Sequence, residues 1–396
     1  MGILSPPDHT TEFSPSPETP FHSPLLQREM PGLDALRGVA VLAVVLYHGL
    51  HWWLPPSISI SPGARRLIFL ATPGWLGVNL FFVLSGFLIT GILLDTRNRP
   101  NYWKSFYTRR VLRILPLYLV VLLILRFYNG VSWMYFLICM FYMANFASTR
   151  FGLGYGPLWS LAVEEQFYLV WPALVRRLRP RTLAVVCVGS LFLSPLLRYL
   201  SVSRIVPMGN PYSATWLVTD NLAAGALIAI LLRTPAATIS RVRGWTLGVG
   251  LLSLILLILG LCLQIMSRST SAGAAFQPEP FILLFSALLL LSLQIGSHPL
   301  VYRLTRPLRF YGYISYGLYL FHVLGFSVYQ DLFSDFNHPL PVLTAGILLL
   351  RLCAVLAVVT VFCFLSRRYF EEFFLRLKDR LVPYAASKSP SPAKSA

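Results

Sequence analysis

The sequence has few charged residues, and acidic residues are especially scarce. Asp and Glu together number 15 in a chain of 396 residues, and the four charged types make up 12% of it, whereas about 25% is usual in soluble proteins. Hydrophobic residues make up 56%, and apolar runs of about 18 residues or more recur between residues 33 and 365. This composition excludes an ordinary soluble domain and predicts an all-α integral membrane protein.

The sequence also lacks cysteine pairs and a recognisable signal peptide. Its five cysteines all lie inside apolar segments, show no CxxC spacing and are odd in number, so we expect neither a disulfide framework nor a metal site. Residues 1–30 are rich in Ser and Pro and contain no apolar core of a signal peptide. We expect residues 1–30 and 381–396 to be disordered tails on either side of one transmembrane domain, residues 31–380.

The basic residues outnumber the acidic ones, but their distribution speaks against a nucleic-acid ligand. The formal net charge is +18, yet Lys and Arg form short clusters between apolar runs. Short loops rich in Lys and Arg stay on the cytoplasmic side of a membrane. We therefore assign five clusters to the cytoplasm and expect the lipid bilayer, not nucleic acid, as a partner. The clusters lie at residues 97–113, 176–181, 233–243, 303–309 and 367–380.

Eleven apolar segments can be counted, and the basic clusters constrain how many of them cross the membrane. Three segments lie between the first two clusters, although two loops on the same side require an even number of crossings. The segment at 131–147 is short, follows a Gly and carries Asn145 near its end. We expect it to be re-entrant or interfacial. The prediction is about ten transmembrane helices with both termini in the cytoplasm, in the inner membrane of a bacterium.

The first predicted span, residues 33–54, carries two ionisable side chains. Arg37 and His48 are separated by ten residues, so a helix places both on one face, roughly 16 Å apart along its axis. A charge inside a membrane by default marks a functional site, and a neutral imidazole can take a proton from a hydroxyl near pH 7. The simpler explanations are an interfacial Arg37 paired with Asp34 and an interhelical hydrogen bond from His48.

Five motifs in chain order carry a family resemblance. Residues 33–38, Leu-Asp-Ala-Leu-Arg-Gly, followed by the Arg-to-His interval, resemble the opening helix of the acyltransferase-3 family of membrane-bound acyltransferases. Further likeness lies at residues 77–89, 106–116, 158–168 and 314–322. One departure is Asn79, where the family usually carries Asp. The resemblance implies transfer of an acyl group, commonly acetyl from acetyl-CoA, to a hydroxyl of a carbohydrate, glycolipid or other acceptor.

A catalytic and donor-binding set follows from the resemblance and the residue chemistry. We expect His48 to act as general base, Arg37 to orient the donor, and Glu164 to position the acceptor or pair with His48 or an arginine. Guanidinium groups bind phosphate well. The CoA phosphates are accordingly assigned to Arg109, Arg110 and Arg113. The same cluster also satisfies the positive-inside rule with no ligand at all.

Several further residues have open assignments. Ser85 and Gly86 either leave room for the pantetheine arm of CoA or allow close helix packing. Glu165 and Asp220 are possible additional site residues, with a helix-end charge as the simpler explanation for Asp220. His322 is a possible second catalytic histidine. We expect no bound cofactor, with acyl-CoA as a substrate.

Two other functions fit the same sequence. Arg37, Glu164, Asp220 and Arg351 could line a transport pathway for a lipid-linked sugar or an anionic solute. Many transporters are built from matching halves with broken helices, and no such pairing is visible. The other alternative is an inactive scaffold member of the same family, against which the intact Arg-to-His interval argues.

Overall fold

The structure, a computed structural model, describes residues 23–27, 29–52, 59–151, 155–206, 208–267, 269–333 and 342–382. Within these ranges the chain is helical, and its one strand-like feature is an isolated bridge between Ile60 and Leu343. Ten long helices coincide with the ten segments predicted to cross the membrane. They are α1 (Pro31–Tyr47), α2 (Leu76–Thr96), α3 (Tyr102–Phe127), α4 (Leu158–Arg177), α5 (Pro180–Val202), α6 (Thr215–Leu231), α7 (Ile239–Cys262), α8 (Pro278–Ile295), α9 (Ser315–Phe333) and α10 (Ala345–Leu365).

Six stretches of the described chain have the length and apolar composition of a membrane span. They are Pro31–His51, Pro62–Thr96, Pro180–Val202, Ile239–Cys262, Ser271–Ile295 and Ala345–Leu377. The all-α membrane class is thereby confirmed. The number of crossings and the side of each terminus stay predictions.

The segment at 131–147 is not one continuous helix. It contains the helix Trp133–Met140 and enters a second one, Ala144–Phe151, each of 8 residues. Between them Tyr142 has a positive φ of 54°, which interrupts helical geometry. Eight helical residues extend about 12 Å, against roughly 30 Å for the bilayer core. Neither helix can span a membrane, in line with the re-entrant or interfacial prediction.

Two glycines bring the backbones of α2 and α6 into contact. A Cβ atom on Gly86 would lie 1.9 Å from the carbonyl oxygen of Leu222, and one on Gly225 would lie 1.9 Å from that of Val83. Small residues allow such close approach between membrane helices. Of the two explanations for Gly86, this contact supports close packing.

A Gly86→Ala variant should destabilise the protein. Alanine normally favours a helix over glycine by about 0.5–1 kcal/mol, but here its methyl group would overlap backbone, and overpacking costs about 1–3 kcal/mol. The matched control is Gly248→Ala on α7, where a Cβ atom meets nothing within 4 Å. Thermal unfolding in detergent should show a lower midpoint for Gly86→Ala alone. Equal midpoints for the two variants would contradict this packing.

The inner end of the predicted N-terminal tail packs on the helices. Ser23 is 1% exposed, its amide donates to the Leu232 carbonyl oxygen at 3.0 Å, and its hydroxyl donates to the Ala237 carbonyl oxygen at 3.0 Å. The first bond satisfies the carbonyl of the residue that caps α6, which has no helical partner, and the second binds the loop between α6 and α7. Residues 23–27 are therefore ordered rather than a tail. Residues 1–22 and 383–396 lie outside the described residues.

Candidate active site

A π-helical turn, His48–Trp52, follows α1 and carries the predicted catalytic histidine. Single π-helical turns are rare overall, and those that occur are often found at functional sites. Arg351 of α10, which the sequence analysis considered for a transport pathway, donates from Nη2 to the Gly49 carbonyl oxygen at 2.7 Å. The turn is thereby tied to a second helix, and its position in the bundle is fixed.

His48 opens into a cavity of about 440 Å³, here called the histidine cavity. Its walls are largely aromatic and include Trp75, Trp159 and Tyr212, and its polar side chains include Asn79 and Asn221. Pockets with apolar walls and a few placed polar groups are typical of ligand sites. The cavity can hold a ring-shaped ligand against a histidine.

His48 and His322 form a hydrogen-bonded pair across α1 and α9. His48 Nδ1 lies 2.9 Å from His322 Nε2, and His322 Nδ1 lies 3.0 Å from the Leu318 carbonyl oxygen. A carbonyl oxygen only accepts, so His322 Nδ1 carries the hydrogen and its Nε2 accepts from His48 Nδ1. With both rings neutral, His48 Nε2 keeps its lone pair. The histidine that faces the cavity is therefore set up as a base.

Arg37, Arg110 and Arg113 line a second cavity of about 110 Å³, here called the arginine cavity. Residues three or four apart on a helix share a face, which explains why Arg110 and Arg113 point together. The guanidinium of Arg110 lies 4.4 Å from the ring centroid of Tyr168. Arg37 keeps the predicted Asp34 partner at 3.4 Å. Three cations thus surround a small space.

One carboxylate shares the arginine cavity. Glu164 accepts from the Ser85 hydroxyl at 2.9 Å and from the Tyr168 hydroxyl at 3.1 Å. Of the partners considered for Glu164, the structure places it with the arginines and not with His48. Ser85 lines this cavity, whereas its neighbour Gly86 faces α6. The two residues had been assigned one role, but they point about 100° apart around the helix.

The two cavities adjoin. Val78, Phe82 and Tyr319 line both of them. The hydroxyl of Tyr319 is hydrogen-bonded to the hydroxyl of Ser160. These three side chains stand between the arginine cavity and the cavity that His48 lines. Arg37 and His48, predicted to share one helix face, therefore open into two different but neighbouring spaces.

Besides Gly86 and His322, three predicted residues are not in the walls described for either cavity. Arg109 Nη2 donates to the Val382 carbonyl oxygen at 2.5 Å, because it lies on a different face of α3 from Arg110. Asp220 is fully buried and forms an ion pair with Arg198 at 2.6 Å. Glu165 is next to Glu164 in sequence but on another face of α4. The structure thus places Arg109 outside the described walls of the arginine cavity, and its assignment to the donor site stays a prediction.

Arg198 and Tyr319 were not singled out from the sequence. Arg198 lies inside an apolar segment of α5, and an arginine at such a position was the available signal. Its carboxylate partners, Asp220 and Glu279, come from α6 and α8. The pairing depends on tertiary structure, so spacing along the chain gave no indication of it.

These features define a helical membrane protein with a basic cavity next to a histidine-containing one. A family model described as an acyltransferase domain matches residues 30–368, which is most of the chain. The chain therefore belongs to the acyltransferase-3 family, and the resemblance carried by the five motifs is confirmed.

Named relatives share about half of their length with this chain. The peptidoglycan O-acetyltransferase OatA of Listeria monocytogenes is 29% identical over 335 residues, which cover 75% of this chain and 49% of OatA. YrhL of Bacillus subtilis, to which the same activity is provisionally assigned, is 29% identical over 346 residues, 76% of this chain and 49% of YrhL. The chain thus spans about half the length of these relatives. No solved structure matches it.

Proposed function

We propose that the protein is a membrane-bound O-acyltransferase that moves an acyl group, in the simplest case acetyl, from acyl-CoA to a hydroxyl of a glycan. The observation that carries this proposal is the adjacency of the arginine cavity and the histidine cavity in a chain of this family. The names of the relatives make peptidoglycan the first acceptor to test, and their bacterial sources support a bacterial membrane location.

The arginine cavity is proposed to receive the donor. CoA carries several phosphates, and arginine forms charge-assisted, often bidentate bonds to phosphate. Arg37, Arg110 and Arg113 supply the N–H groups for such bonds. Glu164, which accepts hydrogen bonds from Ser85 and Tyr168, offsets part of their charge. A space of about 110 Å³ holds only part of CoA. The narrow pantetheine arm would extend past Tyr319 and bring the thioester to the histidine cavity.

The proposed reaction uses the unprotonated Nε2 of His48 as the base. Its Nε2 takes the proton of the acceptor hydroxyl as the hydroxyl oxygen attacks the thioester carbonyl carbon. The tetrahedral intermediate collapses with cleavage of the carbon–sulfur bond, and the sulfur leaves with the proton returned by His48. His322 holds the His48 ring through Nδ1 and so acts as a positioning residue. General base catalysis of this kind contributes about 10²–10⁴-fold.

A His322→Leu variant should turn over about 10–100-fold more slowly, because the hydrogen-bond acceptor that orients His48 is lost. A His322→Gln variant offers a carbonyl oxygen to His48 Nδ1 and should recover part of the rate. The KM for acyl-CoA should not change in either variant, since His322 is not in the wall of the arginine cavity. Equal rates for the Leu and Gln variants would contradict the positioning role.

Acyl transfer can be separated from transport with the purified full chain in lipid vesicles. With acetyl-CoA and soluble peptidoglycan fragments added, release of free CoA thiol should require the acceptor, and mass spectrometry should find an acetyl ester on it. Movement of a lipid-linked sugar or an anion across the vesicle without any acyl donor would favour the transporter. Absence of both activities would favour the scaffold.

A further inference from the structure

Near the end of α5, Arg198 lies in the wall of the histidine cavity, and every N–H group of its guanidinium is hydrogen-bonded within the protein. Arg198 is 1% exposed, and its five N–H groups have five acceptors. These are the carbonyl oxygens of Ala274 at 3.0 Å, Leu217 at 2.5 Å and Ala275 at 3.5 Å, with Asp220 Oδ2 at 2.6 Å and Glu279 Oε1 at 2.6 Å. Because a guanidinium has five N–H donors in all, none remains for a ligand.

The two cavities therefore differ in what charge they can accept. Among the described residues that line the histidine cavity, Arg198 is the one with a permanent charge, and its two carboxylate partners leave no positive charge for an anionic ligand. The arginine cavity instead sets three guanidinium groups against the single carboxylate of Glu164. An anionic ligand is suited to the arginine cavity, and an uncharged ligand is suited to the histidine cavity.

The ion pair also fixes the direction of two amides. Asp220 Oδ1 accepts from the backbone N–H of Asn221 and from Asn221 Nδ2, both at 2.9 Å. A carboxylate paired with arginine only accepts, so Asn221 must turn its amide nitrogen toward Asp220 and its oxygen away. That oxygen accepts from Asn79 Nδ2 at 2.9 Å. Asn79 must therefore point its own nitrogen at Asn221.

One acceptor is left over at the end of this chain of hydrogen bonds. Asn79 lines the histidine cavity, and among the described residues no group donates to its Oδ1. His48, whose Nε2 is the proposed base, lines the same cavity. An oriented amide acceptor, a histidine and aromatic side chains in one cavity are complementary to a ligand with hydroxyl or N–H donors and an apolar ring face.

We propose that the histidine cavity binds an uncharged sugar unit through two donors: the hydroxyl to be acylated, bound to His48 Nε2, and an adjacent N–H or O–H, bound to Asn79 Oδ1. This rests on the proposed function, because it names the acceptor class of the same site. Asn79 is a specificity-determining residue under this proposal. A site that hydrogen-bonds a substrate donor discriminates strongly against an analogue lacking it.

The proposal can be tested by binding and by turnover, with the full chain in lipid nanodiscs. The probes are neutral trisaccharides (chitotriose, cellotriose and maltotriose) and the anionic trigalacturonate, followed by tryptophan fluorescence, since Trp75 and Trp159 line the cavity. The variants are Asn79→Leu and Asn79→Ala, which remove the acceptor at two different volumes. Asn101→Leu, at an exposed position whose side chain makes no cap hydrogen bond, is the control.

At least one neutral trisaccharide should bind more tightly than trigalacturonate. Both Asn79 variants should weaken that binding about 10–100-fold, with the KM for acetyl-CoA unchanged. A monodeoxy analogue that lacks the adjacent donor should bind the wild type about 10–100-fold more weakly than its parent, and both Asn79 variants should bind the two alike. Cooperative thermal unfolding and a wild-type KM for acetyl-CoA would show that the variants fold, although the loss of the bond from Asn79 to Asn221 should lower their melting temperatures.

Preference for trigalacturonate, failure to bind any neutral trisaccharide, or unchanged discrimination in the Asn79 variants would overturn the proposal. Binding of a neutral sugar with the expected Asn79 dependence, but with no acyl transfer from acetyl-CoA, would support this binding site and contradict the proposed function. The two failures are therefore distinguishable.

Discussion

A His48→Ala variant is expected to lose acyl transfer by about 10²–10⁴-fold, the usual contribution of a general base. The alanine cannot take the hydroxyl proton, and the bond to His322 disappears with the ring. Binding of acyl-CoA should persist, because the arginines proposed to receive its phosphates line the other cavity. Initial rates of ester formation, with donor and acceptor both varied, would separate a loss in kcat from a change in KM.

The control for that variant lies in the same π-helical turn. His51 is exposed, its ring stacks on Tyr47, and it is not in the described walls of either cavity. A His51→Ala variant should keep near-normal turnover. Equal losses in the His48 and His51 variants would show that the turn was disrupted. Normal turnover in His48→Ala would remove this histidine from the mechanism.

An Arg113→Gln variant should raise the KM for acetyl-CoA about 10–100-fold, since hydrogen bonds to charged groups are worth about 1.5–3 kcal/mol. Glutamine keeps part of the length of arginine but loses the charge. The ratio of the variant KM to the wild-type KM should be smaller at high salt, because salt also weakens the attraction between the wild-type arginines and the phosphates. The KM for the sugar acceptor should stay constant. Donor-concentration series at two ionic strengths would measure these changes.

Arg109→Gln is the matched control on the same helix, because Arg109 bonds the Val382 carbonyl oxygen instead of lining the arginine cavity. Its donor KM should be close to that of wild type. A larger effect from Arg109 than from Arg113 would mean that the phosphates bind on another face of α3. The sequence alone treats the two arginines alike, so this comparison tests what the structure adds.

The long helices could be predicted because a span requires many consecutive apolar residues, and that pattern is local. The prediction that the segment at 131–147 does not span the membrane rests on local features as well, namely its short length and Asn145. The role of α2 was harder to predict from the sequence. Ser85 and Gly86 are neighbours in sequence, but only the positions of α4 and α6 show that one lines a cavity and the other packs on Leu222.

The sequence indicated which residues belong to the candidate site better than it indicated which of them pair. His48 and His322 each stood out as polar residues in apolar segments, yet 274 positions separate the two rings that meet. Arg198, Asp220 and Glu279 come from three different helices. Such contacts depend on how helices pack, and a single sequence contains no periodic signal for them.

The most direct test of the account is an electron cryomicroscopy structure of the full chain with a thioether analogue of acetyl-CoA that cannot transfer its acyl group. The account predicts phosphates beside Arg110 and Arg113, and an acyl carbonyl carbon past Tyr319 in the histidine cavity. An acceptor oxygen placed between that carbon and His48 Nε2 would then lie about 3–3.5 Å from the carbon, as a reactive complex requires. An analogue bound away from these arginines, or one whose acyl end is separated from His48 by Val78 and Phe82, would contradict it.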